Sequence, residues 1–110
     1  MVEEEYAMMR YRRRTYGGQL TVTLRELAFA AHCHPDLVRQ FADYGVVEPQ
    51  ESHDNETLFA AEAVERLRRG LRLRRDLHIG VSALPLVLDL LERIDALEAE
   101  LDRLKRQAGR

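Results

Sequence analysis

Apolar residues recur at helical spacing in four stretches of this chain, separated by short polar breaks. The first stretch opens at Thr23. Thr23-Leu24-Arg25-Glu26 has the S/T-x-x-E pattern of a capping box, in which hydroxyl and carboxylate each satisfy an orphan backbone donor. Leu24, Leu27, Ala28 and Ala31 follow on one face. His32-Cys33-His34 interrupts the pattern, and Pro35 suits the first position of a second helix. That helix turns Leu37, Val38 and Phe41 inward and stops at Tyr44-Gly45. Two short helices joined by about four residues predict a helix-turn-helix.

Val46-Val47-Glu48-Pro49 reads as extended, because Pro49 disfavours a helical conformation at Glu48. Gln50 to Thr57 is polar and Leu58-Phe59 apolar, which predicts a small hairpin or wing with a polar tip. A third helix is expected from about Ala61 to His78, burying Ala63, Val64, Leu67 and Leu71, with Arg68, Arg72 and Arg75 on its solvent side. After Gly80 the last helix starts near Ser82, Pro85 being tolerated in its first turn. Val87, Leu90, Ile94, Leu97, Leu101 and Leu104 then alternate steps of three and four, the seam of a coiled coil. A lone helix of this kind is marginal, so the seam predicts a homodimer through a second copy. β-branched Val87 and Ile94 suit a parallel pairing, and spacing leaves the direction open.

The first nineteen residues lack sustained periodicity. Their run Arg10-Tyr11-Arg12-Arg13-Arg14 fits a solvated tail better than a nucleic-acid arm, since Glu3-Glu4-Glu5 offset part of its field. The expected organisation is mainly α: a flexible segment over 1–19, a winged helix-turn-helix-like domain over 20–80, and a coiled-coil helix over 81–110.

Composition narrows the function. A chain of 110 residues is one domain in size, with 45% hydrophobic and 33% charged residues. A single cysteine, Cys33, excludes an intramolecular disulfide scaffold. No apolar stretch is long enough to span a bilayer, and the opening Val2-Glu3-Glu4-Glu5 has no signal-peptide core, so a cytoplasmic protein without membrane attachment is expected. The net charge of −2 is unevenly spread. Residues 20–60 carry two basic and seven acidic side chains, whereas residues 61–80 carry six arginines and three acids. A chain built to track phosphate is not patterned this way.

Catalytic and metal chemistry find little support. The adjacent side chains of His32-Cys33-His34 diverge in a turn, and no second cysteine offers zinc-ligand spacing. A small apolar Cys33 filling the turn explains the pattern more simply. A Cys-His nucleophile would lack an orienting third group, and Gly17-Gly18 has neither the glycine spacing nor the lysine of a phosphate loop. No cofactor, metal site or enzymatic activity is expected.

In helix-turn-helix proteins that read DNA, the second helix reaches base edges and flanking cations hold phosphates. Here that helix offers Asp36, Asp43 and one arginine, Arg39, and the wing offers Glu48, Glu51, Asp54 and Glu56. Such carboxylates oppose the counterion release that drives DNA binding. They read either as a solvated loop or as an acidic surface for a basic protein. The arginines of the third helix could meet DNA or pair with acids; Glu62 and Glu65, at i, i+4 from Arg66 and Arg69, favour a solvated, paired face.

The order of these pieces resembles the MerR-like winged helix-turn-helix group, and within it the CbpM-type chaperone modulators. The resemblance runs from Leu24 to Leu97. It is carried by Leu24-Arg25-Glu26-Leu27-Ala28, His34-Pro35-Asp36-Leu37-Val38, Tyr44-Gly45-Val46-Val47-Glu48-Pro49, Leu58-Phe59, Arg72-Leu73-Arg74 and the run from Leu86 to Ile94. Leu58 stands where the family often has an aromatic residue, and Val81-Ser82 after Gly80 is unusual. The resemblance implies a modulator that binds the J-domain of a CbpA-type co-chaperone and blocks its work with a DnaK-type chaperone. J-domains contact that chaperone through a basic helix. Asp36, Asp43, Glu48, Glu51, Asp54 and Glu56 would then form the covering surface, with Arg39 and Tyr44 adding specific contacts. The alternative is a MerR-like or HspR-like DNA-binding transcriptional regulator, whose usual arginines in the second helix and wing are incomplete here. MerR-like relatives pair antiparallel, against the parallel preference of the seam.

Overall fold

The computed structural model describes residues 15–16, 19–53 and 55–109, with the side chains of 20–50 and 55–109. Two helices open the core. α1 (Leu24–Ala31) is capped by Thr23, whose hydroxyl accepts from the Glu26 amide at 3.2 Å while Glu26 Oε1 accepts from the Thr23 amide at 2.8 Å. This is the capping box expected from sequence, worth about 1 kcal/mol. α1 ends at His32, which adopts a left-handed conformation (φ 58°) so that the Cys33 amide reaches the Ala28 carbonyl. α2 (Pro35–Asp43) follows with Pro35 in its first turn and His34 as its cap, the Nδ1 of His34 accepting from the Asp36 amide at 3.0 Å. The two histidines of the turn thus terminate one helix and start the next. Tyr44 closes α2, and Gly45 at φ +82° supplies the positive φ that turns the chain inward to Val46 and Val47, both fully buried.

The sheet is larger than a lone wing. β1 (Thr15–Tyr16), β2 (Gln19–Thr23), β3 (Pro49–His53) and β4 (Glu56–Ala60) form one antiparallel sheet in the order β1-β2-β4-β3. The wing β3–β4 was expected. The pairing of β2 along its inner side, Val22 opposite Phe59 and Thr23 opposite Leu58, was not. Thr15, Tyr16 and Gln19, placed by the sequence reading in a flexible segment, therefore belong to strands; residues 1–14, with the basic run, lie outside the described residues. Pro49 sits on the edge strand, where its missing donor costs nothing. The register shifts between Pro49 and Glu51, which makes Gln50 the extra residue of a bulge.

α3 (Ala63–Leu77) crosses back over α1, and α4 (Leu84–Ala108) packs on α3. The core gathers Leu27, Val38, Phe41, Val46, Phe59, Leu67, Leu84 and Leu88, none more than 1% exposed. Leu84 and Leu88 belong to this core, so the first turns of the last helix pack with the winged domain instead of standing apart from it. Gly70 of α3 is buried where α2, Val46 and α4 converge. From Glu92 to Gly109 every side chain is exposed. A helix of 25 residues is about 37 Å long, and most of it projects beyond the core.

Candidate functional site

The arginines of α3 divide into two sets. Arg66, only 18% exposed, donates from Nε to the Val46 carbonyl and from Nη2 to the Pro85 carbonyl at 3.5 Å. It also pairs with Asp89 at 3.0 Å and Glu92 at 2.9 Å. Arg69 pairs with Asp95 at 2.8 Å. The i, i+4 partners expected from spacing, Glu62 and Glu65, are thus replaced by carboxylates of α4. Arg68, expected on the solvent side, is half-buried: its Nε and Nη2 both donate to the Ala30 carbonyl, at 3.0 and 2.6 Å, and satisfy the C-terminal end of α1. Arg68 also pairs with Glu65 at 3.4 Å. Three of the six arginines are therefore structural fasteners. Arg72, Arg74 and Arg75 remain outward, Arg74 lying over the Phe41 ring at 5.9 Å.

The carboxylates that fix Arg66 also build a groove. A cavity of about 400 Å³ opens between the base of the wing and the start of α4, bounded by Glu48, Gln50, Glu62, Arg66, Asp89 and Glu92. Four carboxylates face one guanidinium there, which makes it an acidic concavity. Of the residues expected from sequence, Glu48 lies in it. Asp43 and Tyr44 are exposed just before Gly45, which also lines it. Asp36 and Arg39 do not join: they pair with each other at 2.6 Å, near the other end of α2. Glu56 is exposed at the start of β4, outside the groove. Glu51 pairs with Leu58 through its backbone, but its side chain and the whole of Asp54 lie outside the described residues. The expected surface is thus divided between the two ends of α2. Glu62, Asp89 and Glu92 were not anticipated, because they converge only when α4 folds back on α3.

A second groove, about 1020 Å³, lies at the helix-turn-helix turn. Cys33, Leu37 and Leu71 form its apolar floor, and Arg68, Arg72, Arg74 and Arg75 line it as well. Burial pushes the Cys33 thiol upward in pKa, in keeping with an uncharged side chain packed against the core. The hydrogen bond from Arg75 holds the Asp76 carboxyl below its ordinary value. The seam residues Leu90, Ile94, Leu97, Leu101 and Leu104 are each about half exposed along α4, while Val87 is partly buried. Among the described residues no helix is long and apolar enough to cross a membrane.

Comparison with known proteins agrees with this architecture. The MerR HTH family regulatory protein model matches residues 22–106. A chaperone modulatory protein CbpM of Pseudomonas entomophila is 31% identical over 87 residues, covering 79% of this chain and 86% of that protein. A protein of the same name from Coxiella burnetii is 28% identical over 81 residues, 74% of this chain and 76% of its own length. Winged helix-turn-helix, projecting helix and sequence kinship converge: the chain belongs to the MerR-like helix-turn-helix family and, within it, to the CbpM-type chaperone modulators.

Proposed function

We propose that this protein binds the J-domain of a CbpA-type co-chaperone and inhibits its stimulation of a DnaK-type chaperone, with the acidic groove around Arg66 as the contact. The observation that carries this reading is the convergence of Glu48, Glu62, Asp89 and Glu92 in one concavity. The name of these relatives, chaperone modulatory protein, supports the same role. A basic helix laid along the groove would exchange hydration for complementary charge, which raises the association rate and disfavours anionic competitors. Asp43 and Tyr44, exposed just before Gly45 of the groove, would add a charged and an aromatic contact beside it. No catalytic step is needed; occupancy of the J-domain is the whole mechanism.

Two copies join through the seam from Val87 to Leu104, whose exposed leucines a second helix would cover. The single free thiol suits a reducing cytoplasm. The DNA-binding alternative loses ground because Arg66, Arg68 and Arg69 are committed to internal carbonyls and carboxylates. The direct test is the ATPase of a DnaK-type chaperone stimulated by a J-domain. Added protein should suppress the stimulated rate and leave the basal rate untouched; an unchanged stimulated rate at saturating protein would overturn the reading.

A further inference from the structure

The groove at the helix-turn-helix turn has the opposite character to the acidic one. Its rim carries Arg72, Arg74 and Arg75, while Arg68, which also lines it, is spent on the Ala30 carbonyl; no carboxylate lines it among the described residues. Glu65, Asp76 and Asp36 pair with Arg68, Arg75 and Arg39, which leaves Arg72 and Arg74 as the groove arginines outside those ion pairs. Arg72 is exposed; its charge acts on Asp76, but the close ion pair of that carboxylate is with Arg75. Beneath these cations lies the apolar floor of Cys33, Leu37 and Leu71, partly buried and packed against the core. A volume of about 1020 Å³ accommodates several side chains.

We infer that this groove is a second docking site, which takes an acidic polypeptide segment anchored by an apolar side chain. Charge selects the acidic ligand, since guanidinium groups present paired donors that match carboxylates. The floor selects polypeptide over nucleic acid. Leu37 and Leu71 offer contact area that a leucine or isoleucine of the ligand would cover, whereas a phosphate backbone has nothing apolar to place there. The two grooves share no lining residue, so one copy can hold a basic helix on one side and an acidic segment on the other. This inference does not rest on J-domain binding.

The full-length protein is titrated into a fluorescein-labelled helical peptide carrying glutamate on one face and leucine on the other. A lysine–leucine peptide, a glutamate–alanine peptide and a short duplex DNA serve as comparisons. Saturable anisotropy with the glutamate–leucine peptide alone is expected. Arg72→Glu should weaken it roughly tenfold or more, the loss of a charged hydrogen bond plus an added repulsion. Because the chain has one cysteine, maleimide alkylation reports on the floor directly, and the peptide should slow it. Equal binding by Arg72→Glu, unprotected Cys33, or protection of Cys33 by the DNA instead of the peptide would each overturn the inference. J-domain inhibition measured on Arg72→Glu should be unchanged, which separates failure here from failure of the acidic-groove reading.

Discussion

Arg66 donates to Glu92 at 2.9 Å, joining α3 to a residue 26 positions further along the chain. The same guanidinium reaches the Val46 carbonyl at the end of the helix-turn-helix and the Pro85 carbonyl in the first turn of α4. One side chain thus ties three elements together at the floor of the acidic groove. Replacing it leaves two carbonyls to find water and two exposed carboxylates unpaired. Arg66→Ala should therefore cost about 1–2 kcal/mol, most of it from the partly buried carbonyls and little from the solvated ion pairs. Urea denaturation measures the loss. A double-mutant cycle with Glu92→Ala should return a coupling below about 1 kcal/mol.

Thr21 is 2% exposed, and its hydroxyl has no hydrogen-bond partner among the described residues. Valine has nearly the same shape without the polar atom. Thr21→Val should stabilise the fold by about 1 kcal/mol, seen as a rise in Tm of a few degrees by calorimetry. A fall in Tm would mean that the hydroxyl is satisfied.

A methyl group added at Gly70 would meet Leu88 Cδ1 and Val46 Cγ1 at 3.5 Å, which is ordinary contact. Alanine also lowers the entropic cost of a helix interior, so Gly70→Ala should gain about 0.5–1 kcal/mol. Gly70→Val adds methyls with no room to relax and should lose about 1–3 kcal/mol. Opposite shifts in thermal midpoint for the two variants would check this.

These elements were not equally legible in the sequence. Caps and turns are local, so Thr23-Glu26, Pro35 and Gly45 announce themselves by residue type at fixed spacing. The seam is legible for the same reason. β2 was missed although Leu20 and Val22 alternate with Gln19, Thr21 and Thr23: the run is only five residues long, and it becomes a strand by pairing with β4, far along the chain. The acidic groove was half visible. Glu48 stands out in the wing, but Asp89 and Glu92 acquire meaning only from the rotation of α4 against α3, which no local spacing encodes. Likewise Arg68 reads as a surface cation until Ala30 is seen 38 positions away in sequence and 2.6 Å away in space.

The proposed dimer places the exposed leucines of α4 against a second copy. Leu97→Glu puts a charge in the middle of that seam, far from the core formed by Leu84 and Leu88. Light scattering should report the mass of a dimer for the parent protein and of a monomer for the variant, with helicity of the projecting helix partly lost. An unchanged dimer mass would place the interface elsewhere.

Recognition of a basic protein surface by the acidic groove is tested most directly by calorimetric titration. A J-domain and a duplex DNA are each titrated, over a series of salt concentrations, into the parent protein and into Glu48→Lys/Glu62→Lys. Both positions are exposed, so the variant should fold normally. Saturable J-domain binding is expected of the parent protein, weakened about tenfold or more in the variant, with little DNA affinity at physiological salt. J-domain affinity unmoved by the double reversal, or salt-sensitive DNA binding without a J-domain signal, would contradict it.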